Sequence, residues 1–194
     1  MNSTISMDEK RIVREKTAKP LLWIGMVSMS MLFAGLTSAY VVSQGKGDWI
    51  RFDLPQLFYI STAIIMISSV TMNWTLASAK KNNYKNVRIA ALITLILGLS
   101  FMVCQFKAWG VLHESKIYFT GKGSNNAGSF LYMLTFLHLL HMVGGFISLS
   151  VVWINSIGKK YNSENLLGIK LCAIFWHFLD VLWIYLFLFL LFVR

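Results

Sequence analysis

Five long stretches of the chain are almost free of charged residues, and short polar segments separate them. The stretches cover residues 21–42, 54–79, 89–112, 127–158 and 171–193. An α-helix rises 1.5 Å per residue and the hydrocarbon layer of a membrane is about 30 Å thick, so about 20 apolar residues suffice to cross it. The pattern therefore predicts membrane-spanning helices at about residues 20–43, 54–79, 87–112, 127–155 and 168–193.

Composition supports an all-α, polytopic membrane bundle. Of the 194 residues, 56% are hydrophobic and only 13% are charged, whereas a typical soluble domain carries about 25% charged residues. A net charge of +10 in a soluble protein would favour nucleic acid or an acidic partner, but here the basic residues lie at the helix ends. We therefore expect membrane lipids and no nucleic acid, with residues 20–194 forming one five-helix domain.

The distribution of Lys and Arg predicts the orientation. Residues 1–19, 80–88 and 159–170 hold 12 of the 18 Lys and Arg residues, and short cytoplasmic segments hold an excess of these residues. Residues 1–19 are therefore predicted to be a cytoplasmic tail, with the C-terminus outside. The first apolar stretch is longer than the 7–15 residues of a signal peptide, so we interpret it as a helix of the bundle.

Small residues four positions apart predict helix contacts, because they let two backbones approach in lipid. Such spacings occur in the first, third and fourth predicted helices, at Gly35 and Ala39, at Ala90, Thr94 and Gly98, and at Gly144 and Ser148.

Four ionisable residues lie inside the last two apolar stretches: His138, His141, His177 and Asp180. Such groups are costly at membrane depth and often functional, and each i, i+3 pair shares one helix face. Counted from the loop between these helices, His141 and Asp180 lie roughly 18 and 14 Å from the inner boundary. We therefore predict a hydrogen bond or ion pair between them.

Several kinds of site could use these residues. Haem ligation would pair His138 or His141 with His177 as the opposite ligand. A di-metal carboxylate site would need several Glu residues, and the five stretches contain none. Proton conduction through His and Asp is a third possibility. We favour interhelical hydrogen bonding, with each group satisfied inside the bundle, and assign Cys104 and Cys172 to packing.

Aromatic residues fall into two groups. Trp23, Tyr40, Trp49, Trp109 and Trp153 lie near helix ends, where such residues anchor a protein at the membrane interface. Trp176 and Trp183 instead flank His177 and Asp180 near mid-depth, and a buried indole needs a hydrogen-bond partner. Lys107 can extend to lipid headgroups, so Lys107, Trp109 and Trp23 are the candidate lipid-binding residues.

Two segments resemble a known family. Residues 175–187 read F-W-H-F-L-D-V-L-W-I-Y-L-F, which resembles the last helix of subunit III of cytochrome c oxidase and its quinol-oxidising relatives. Residues 134–145 read L-T-F-L-H-L-L-H-M-V-G-G and resemble the penultimate helix of that subunit. Residues 28–42 and 98–109 follow the family more loosely. The similarity covers nearly the whole chain, as a five-helix form.

The resemblance implies a noncatalytic subunit of a haem-copper oxidase in a bacterial cytoplasmic membrane. Such a subunit docks mainly on the catalytic subunit I and has subunit II and other subunits of the complex as further partners. It holds phospholipid between its helices and supports proton uptake and stability during turnover. Haem and copper are expected in the partner subunits, and no metal or catalytic residue in this chain. The family-motif positions here are His138, His141, Trp176, His177, Asp180 and Trp183.

The chain departs from the family at Met29 and Ala108, where many members carry Glu, so the resemblance gives less support to proton handling than to a structural role. The electron donor, cytochrome c or quinol, stays open, and so does an accessory subunit of a nitric oxide reductase. A transporter or channel using the His and Asp residues is a third alternative. Inverted repeats or broken helices would be expected there, but the only prolines, Pro20 and Pro55, lie at predicted helix starts.

Overall fold

The computed structural model describes residues 7–45, 49, 53–121, 125–158 and 166–193, with side chains from residue 16 onward. This part of the chain forms five α-helices and no strand. They are α1 (Met7–Gln44), α2 (Gln56–Lys80), α3 (Tyr84–Glu114), α4 (Asn126–Ile157) and α5 (Leu167–Phe192). Each contains a segment long and apolar enough to cross a membrane. The predicted five-helix membrane fold is confirmed.

Helix α1 differs from its predicted bounds. It begins at Met7 instead of near residue 20, so Pro20 lies inside the helix and not in its first turn. Residues 7–19 are rich in Lys, Arg and Glu, which favour a helix. Proline leaves the carbonyl four residues earlier without its helical donor. Here that is the carbonyl of Lys16, an exposed residue at the polar start of the predicted span, where water can replace the donor.

The helices are arranged as a closed bundle of four with one helix outside it. Helix α2 lies beside α3 and α5, and α4 closes the ring by packing between α3 and α5 on the other side. Among the described residues, helix α1 packs against α4 and α5 only. From residue 16 onward its buried stripe is narrow, consisting of Met26, Phe33, Thr37 and Tyr40. The core therefore lies among α2 to α5.

The buried faces of the bundle repeat every seven residues. Buried positions alternate three and four apart in α2 at Phe58, Ser61, Ile65, Ser68, Met72, Thr75 and Ala79. The same alternation runs through α4 at Leu131, Thr135, His138, Met142, Gly145, Leu149, Val152 and Ser156. This period is typical of left-handed bundles, in which helices cross at about +20°.

Two glycines make room for side chains of α5. A Cβ atom on Gly98 of α3 would lie 2.8 Å from Cη2 of Trp176, and one on Gly145 of α4 would lie 2.8 Å from Leu179 and 3.5 Å from Trp176. Trp176 of α5 therefore packs closely against α3 because residue 98 lacks a side chain, and Leu179 packs closely against α4 because residue 145 does.

The prediction of contacts from small residues is only partly correct. Ala90, Thr94 and Gly98 are buried on α3, as expected. Gly35, Ala39 and Gly144 are exposed, and a Cβ atom on Gly35 or Gly144 would meet nothing within 4 Å. The contact face of α4 passes through Gly145, one residue from the predicted Gly144. Four-residue spacing alone does not determine which face of a helix meets a neighbour.

We expect Gly98→Ala to destabilise the bundle, because its methyl group would collide with the indole of Trp176. Overpacking of this kind costs about 1–3 kcal/mol, and for a chain of this size each kcal/mol lowers the unfolding midpoint by about 2–4 °C. Thermal unfolding in mild detergent measures the shift. The matched control is Gly110→Ala on the same helix, where a Cβ atom meets nothing. Equal midpoints for the two variants would contradict the tight fit.

Candidate functional site

Two tryptophans of α5 are hydrogen-bonded to hydroxyl groups of α2. Nε1 of Trp176 donates to Oγ of Ser68 at 3.0 Å, and Nε1 of Trp183 donates to Oγ1 of Thr62 at 3.0 Å. Both indoles are fully buried. They lie seven residues apart on the same face of α5, so both reach the same neighbouring helix. The expected partners of the buried indoles are present, and they connect α5 to α2 at two depths.

His177 adds a third connection between the same helices. Its Nδ1 lies 2.8 Å from Oγ of Ser69, and its Nε2 lies 3.1 Å from Oδ1 of Asn73. The amide oxygen can only accept, so Nε2 donates to it, and a neutral ring then accepts the Ser69 hydroxyl at Nδ1. Both ring nitrogens of His177 are therefore bonded to α2.

Asp180 lies next to His177 on α5. One of its carboxyl oxygens is 3.8 Å from Nδ1 of His177, and the residue is only 3% exposed. Neither oxygen has a hydrogen-bond partner among the described residues. The nearest ionisable neighbour of this carboxyl group is therefore the histidine one turn earlier on its own helix.

The predicted bond between His141 and Asp180 is wrong. Nδ1 of His141 lies 2.6 Å from the carbonyl oxygen of Leu137 on its own helix, and the His141 ring packs 5.8 Å from the ring of Phe33 on α1. Counting residues gave similar depths for the two groups. Counting residues does not determine how each helix is rotated about its axis. The rotation of α4 turns His141 towards α1.

His138 belongs to an aromatic cluster, centred on Trp183, that joins all four helices of the bundle. Its ring centroid is 5.1 Å from that of Trp183 on α5 and 6.0 Å from that of Phe101 on α3. The ring of Phe58 on α2 stacks on Trp183, with ring centroids 5.9 Å apart. His138 is fully buried, and neither ring nitrogen has a hydrogen-bond partner in the described structure.

The three membrane histidines thus face different neighbours. His138 contacts α3 and α5, His141 contacts α1, and His177 contacts α2. Within the described ranges, no three His, Cys, Asp or Glu side chains form a group that could hold a metal ion. The structure does not bring His138 or His141 opposite His177, as the haem interpretation would require.

The polar partners on α2 were not singled out from the sequence. Ser61, Thr62, Ser68, Ser69, Thr71, Asn73 and Thr75 lie in a single apolar stretch. Besides the bonds to α5, this helix links to α3 through Ser61 with Gln105 (3.0 Å) and Thr71 with Thr94 (2.8 Å). The density of hydroxyl and amide groups is the signal that could have identified α2 as the polar centre of the bundle.

Hydrogen bonds also connect the remaining helices. Trp109 Nε1 on α3 donates to Oγ1 of Thr135 on α4 at 3.0 Å, and Thr37 on α1 bonds to the hydroxyl of Tyr185 on α5 at 2.9 Å. At the start of α3, the guanidinium of Arg88 donates to the last carbonyls of α4, at Ser156 and Ile157.

The three candidate lipid-binding residues do not form one site. Trp23 is 58% exposed on α1, and Lys107 is exposed on α3. Trp109 is half-buried on the α4 side of α3, where its indole nitrogen is already bonded to Thr135. Trp23 and Lys107 are therefore accessible to lipid, whereas Trp109 mainly joins two helices.

Comparison with known proteins identifies the family. The family model for cytochrome c oxidase subunit III matches residues 50–193, which include α2 to α5 and both motif segments. The chain belongs to the cytochrome c oxidase subunit III family. The resemblance seen in the sequence and the assignment as subunit III of a haem-copper oxidase are confirmed.

Bacterial and animal relatives agree with this family. The chain is 30% identical over 181 residues to a probable cytochrome c oxidase subunit 3 of Nocardia farcinica, covering 90% of this chain and 86% of that protein. It is 28% identical over 174 residues to the cytochrome c oxidase subunit 3 of Thermostichus vulcanus, covering 86% and 82%. The match to the Oryctolagus cuniculus protein is 29% over 130 residues, covering 66% and 47%. The family places this multi-pass membrane protein in a complex with other oxidase subunits.

A double-mutant cycle tests the bond between Trp176 and Ser68. We expect Trp176→Phe and Ser68→Ala to be coupled, because either change removes the same interhelical hydrogen bond. In membrane proteins such bonds contribute about 0.6 kcal/mol on average and up to about 1.7 kcal/mol. Free energies of unfolding of the wild type, both single variants and the double variant give the coupling. Simple addition of the two single effects would contradict the bond.

A second pair of cycles tests the surroundings of Asp180. The effects of Asp180→Asn and His141→Ala on the free energy of unfolding should add to within about 0.5 kcal/mol, because these residues share no partner. Asp180→Asn and His177→Ala should be coupled by more than that, since these side chains are neighbours. The reverse pattern, with coupling to His141 only, would show that Asp180 faces α4.

Proposed function

We propose that this chain is a noncatalytic subunit of a bacterial haem-copper terminal oxidase. It stabilises the catalytic subunit I, organises bound phospholipid and supports proton uptake. Oxygen reduction takes place at haem and copper in subunits I and II. The chain lies in the cytoplasmic membrane with its N-terminus in the cytoplasm and its C-terminus outside, as the distribution of Lys and Arg favours.

One observation carries the noncatalytic part of the proposal. Three of the family-motif side chains on α5, those of Trp176, His177 and Trp183, are bonded to α2. Another family-motif side chain, His138 of α4, packs against Phe101 and Trp183. These hydrogen bonds and ring contacts hold the helices of the bundle together. The motif that characterises the family in this chain is thus engaged in building the bundle.

The proposed lipid role uses residues near the start of the membrane span of α1 and near the outer end of α3. Trp23 is exposed near the start of the α1 span, and Lys107 is exposed near the predicted outer end of α3. An exposed indole suits the interfacial region, and a lysine stem can lie along apolar surface while its ammonium group reaches a phosphate. Phospholipid would contact the chain at these two places.

The support of proton uptake is the part that depends most on the family resemblance. Ala108, where many members carry Glu, is fully buried on α3, and Met29 is half-buried on α1. The ionisable side chains left at membrane depth are concentrated on α4 and α5. A contribution of this chain to proton uptake would therefore be indirect, through the arrangement of subunit I.

Purification of the tagged chain from native membranes in mild detergent tests the proposal. We expect copurification of larger oxidase subunits, with a-type haem in the visible spectrum and copper by elemental analysis. A tagged multi-pass protein of unrelated function from the same cells is the control. Recovery of the chain without haem-containing partners would overturn the proposal. Copurifying b-type and c-type haem with non-haem iron would instead assign it to a nitric oxide reductase.

Activity measurements separate a stabilising subunit from a catalytic one. We expect oxidase prepared without this chain to reduce oxygen at an initial rate close to that of the whole complex, because the reaction centres lie elsewhere. Its activity should decline faster during continuous turnover. Oxygen consumption followed over many turnovers measures both quantities. An initial rate near zero in a preparation with full haem and copper content would contradict a noncatalytic role.

A further inference from the structure

The outer face formed by α2 and α5 exposes polar groups at the depth of the hydrocarbon layer. Asn73 is exposed on α2, and the side chain of the neighbouring His177 on α5 is 30% exposed. The middle of α2 (Gln56–Lys80) is at residue 68, so Asn73 lies about 7.5 Å from it along the axis. Half the hydrocarbon thickness is about 15 Å. Asn73 is therefore well inside the apolar layer.

Asn73 has two N–H groups for which the described chain provides no acceptor. Its Oδ1 accepts from His177, but its amide nitrogen donates to no described residue. Other polar residues near the lipid-facing surface have their donors satisfied within the chain. The hydroxyls of Ser30, Ser100 and Ser150 donate to carbonyls four residues earlier on their own helices. Those hydroxyls need no outside partner, whereas the Asn73 amide does.

A lipid headgroup cannot easily supply the acceptor. The ester and phosphate oxygens lie at the boundary of the hydrocarbon layer, about 7 Å farther along the membrane normal than Asn73. The short asparagine side chain cannot extend to that boundary as lysine or arginine can. An unpaired N–H group in hydrocarbon is unfavourable. The acceptor must therefore come from a polypeptide at the same depth.

We propose that this face of α2 and α5 is where a transmembrane helix of another oxidase subunit docks. The face consists of Val70, Asn73 and Ala77 on α2 and His177 and Val181 on α5. The partner helix presents a hydroxyl, amide or carboxylate oxygen to the Asn73 amide. This inference rests on the proposed function, which supplies the partner subunits, and it adds the surface and the chemistry of the contact.

The shape of the face fits a neighbouring helix. Val70 and Val181 are 68% and 65% exposed, and Ala77 is also exposed. These short side chains lie one turn from Asn73 or His177, so they leave space for close approach of another backbone. A second copy of this chain would bring the same donor to the contact, and its amide oxygen would have to accept a further hydrogen bond in addition to the one from His177. A different subunit is the better complement.

Site-specific photo-crosslinking in the intact complex tests the contact. The photoreactive residue p-benzoylphenylalanine would replace Val70 or Ala77, which flank Asn73 without removing it. After irradiation of native membranes, we expect a covalent adduct with another oxidase subunit from both positions, identified by mass spectrometry. Adducts with lipid alone, or with a second copy of this chain, would overturn the inference.

Substitution of the amide tests its contribution. Asn73→Leu should lower the yield of copurifying haem-containing subunits about threefold, the usual effect of one interhelical hydrogen bond in lipid. Ser100→Leu is the matched control, because the Ser100 hydroxyl is satisfied within α3, and its yield should match the wild type. Size-exclusion chromatography of each variant shows whether the chain itself is folded. An undiminished yield for folded Asn73→Leu would overturn the inference.

The two proposals fail in different ways. If the wild-type chain copurifies with no haem-containing subunit, the proposed function is wrong. If it does copurify with them, but Val70 and Ala77 crosslink only to lipid, the proposed function stands and only the docking face is wrong.

Discussion

The need to satisfy polar groups without water is the constraint on which this bundle depends. In lipid, apolar side chains gain little by leaving their surroundings, so helices associate through packing and hydrogen bonds. Helix α2 supplies the oxygens, from Thr62 to Asn73, and α5 supplies two indoles and an imidazole. These bonds fix the rotation of α5 against α2. The rotation of α5 then determines which side chains meet α3 and α4.

The same side chain, Trp176, combines close packing with an interhelical hydrogen bond. Trp176 donates to Ser68 of α2 while its ring packs against α3, and the missing side chain of Gly98 provides the space for that ring. The next tryptophan of the seven-residue stripe, Trp183, meets Phe101 and His138 at the following level. Because the two tryptophans lie seven residues apart, they occupy equivalent positions in successive layers of the core.

The sequence predicted the number and type of the helices, because these depend on length and hydropathy alone. It predicted less about rotation. His141 and Asp180 have similar depths but face different helices, and the contact face of α4 passes through Gly145 instead of Gly144. Rotation depends on the sum of many contacts between helices distant in sequence. The seven-residue stripe through His138, Met142 and Gly145 is the pattern that carries this information.

The alanine at residue 108 is compatible with the contacts between α2 and α3. Ala108 lies fully buried on the α3 stripe, where a carboxyl group would need a partner or a proton. One turn earlier on the same stripe, Gln105 donates to Ser61 of α2, and Thr94 bonds to Thr71 closer to the other end. Neutral groups thus link the two helices along their length. An acid at residue 108 is therefore unnecessary for holding α2 to α3.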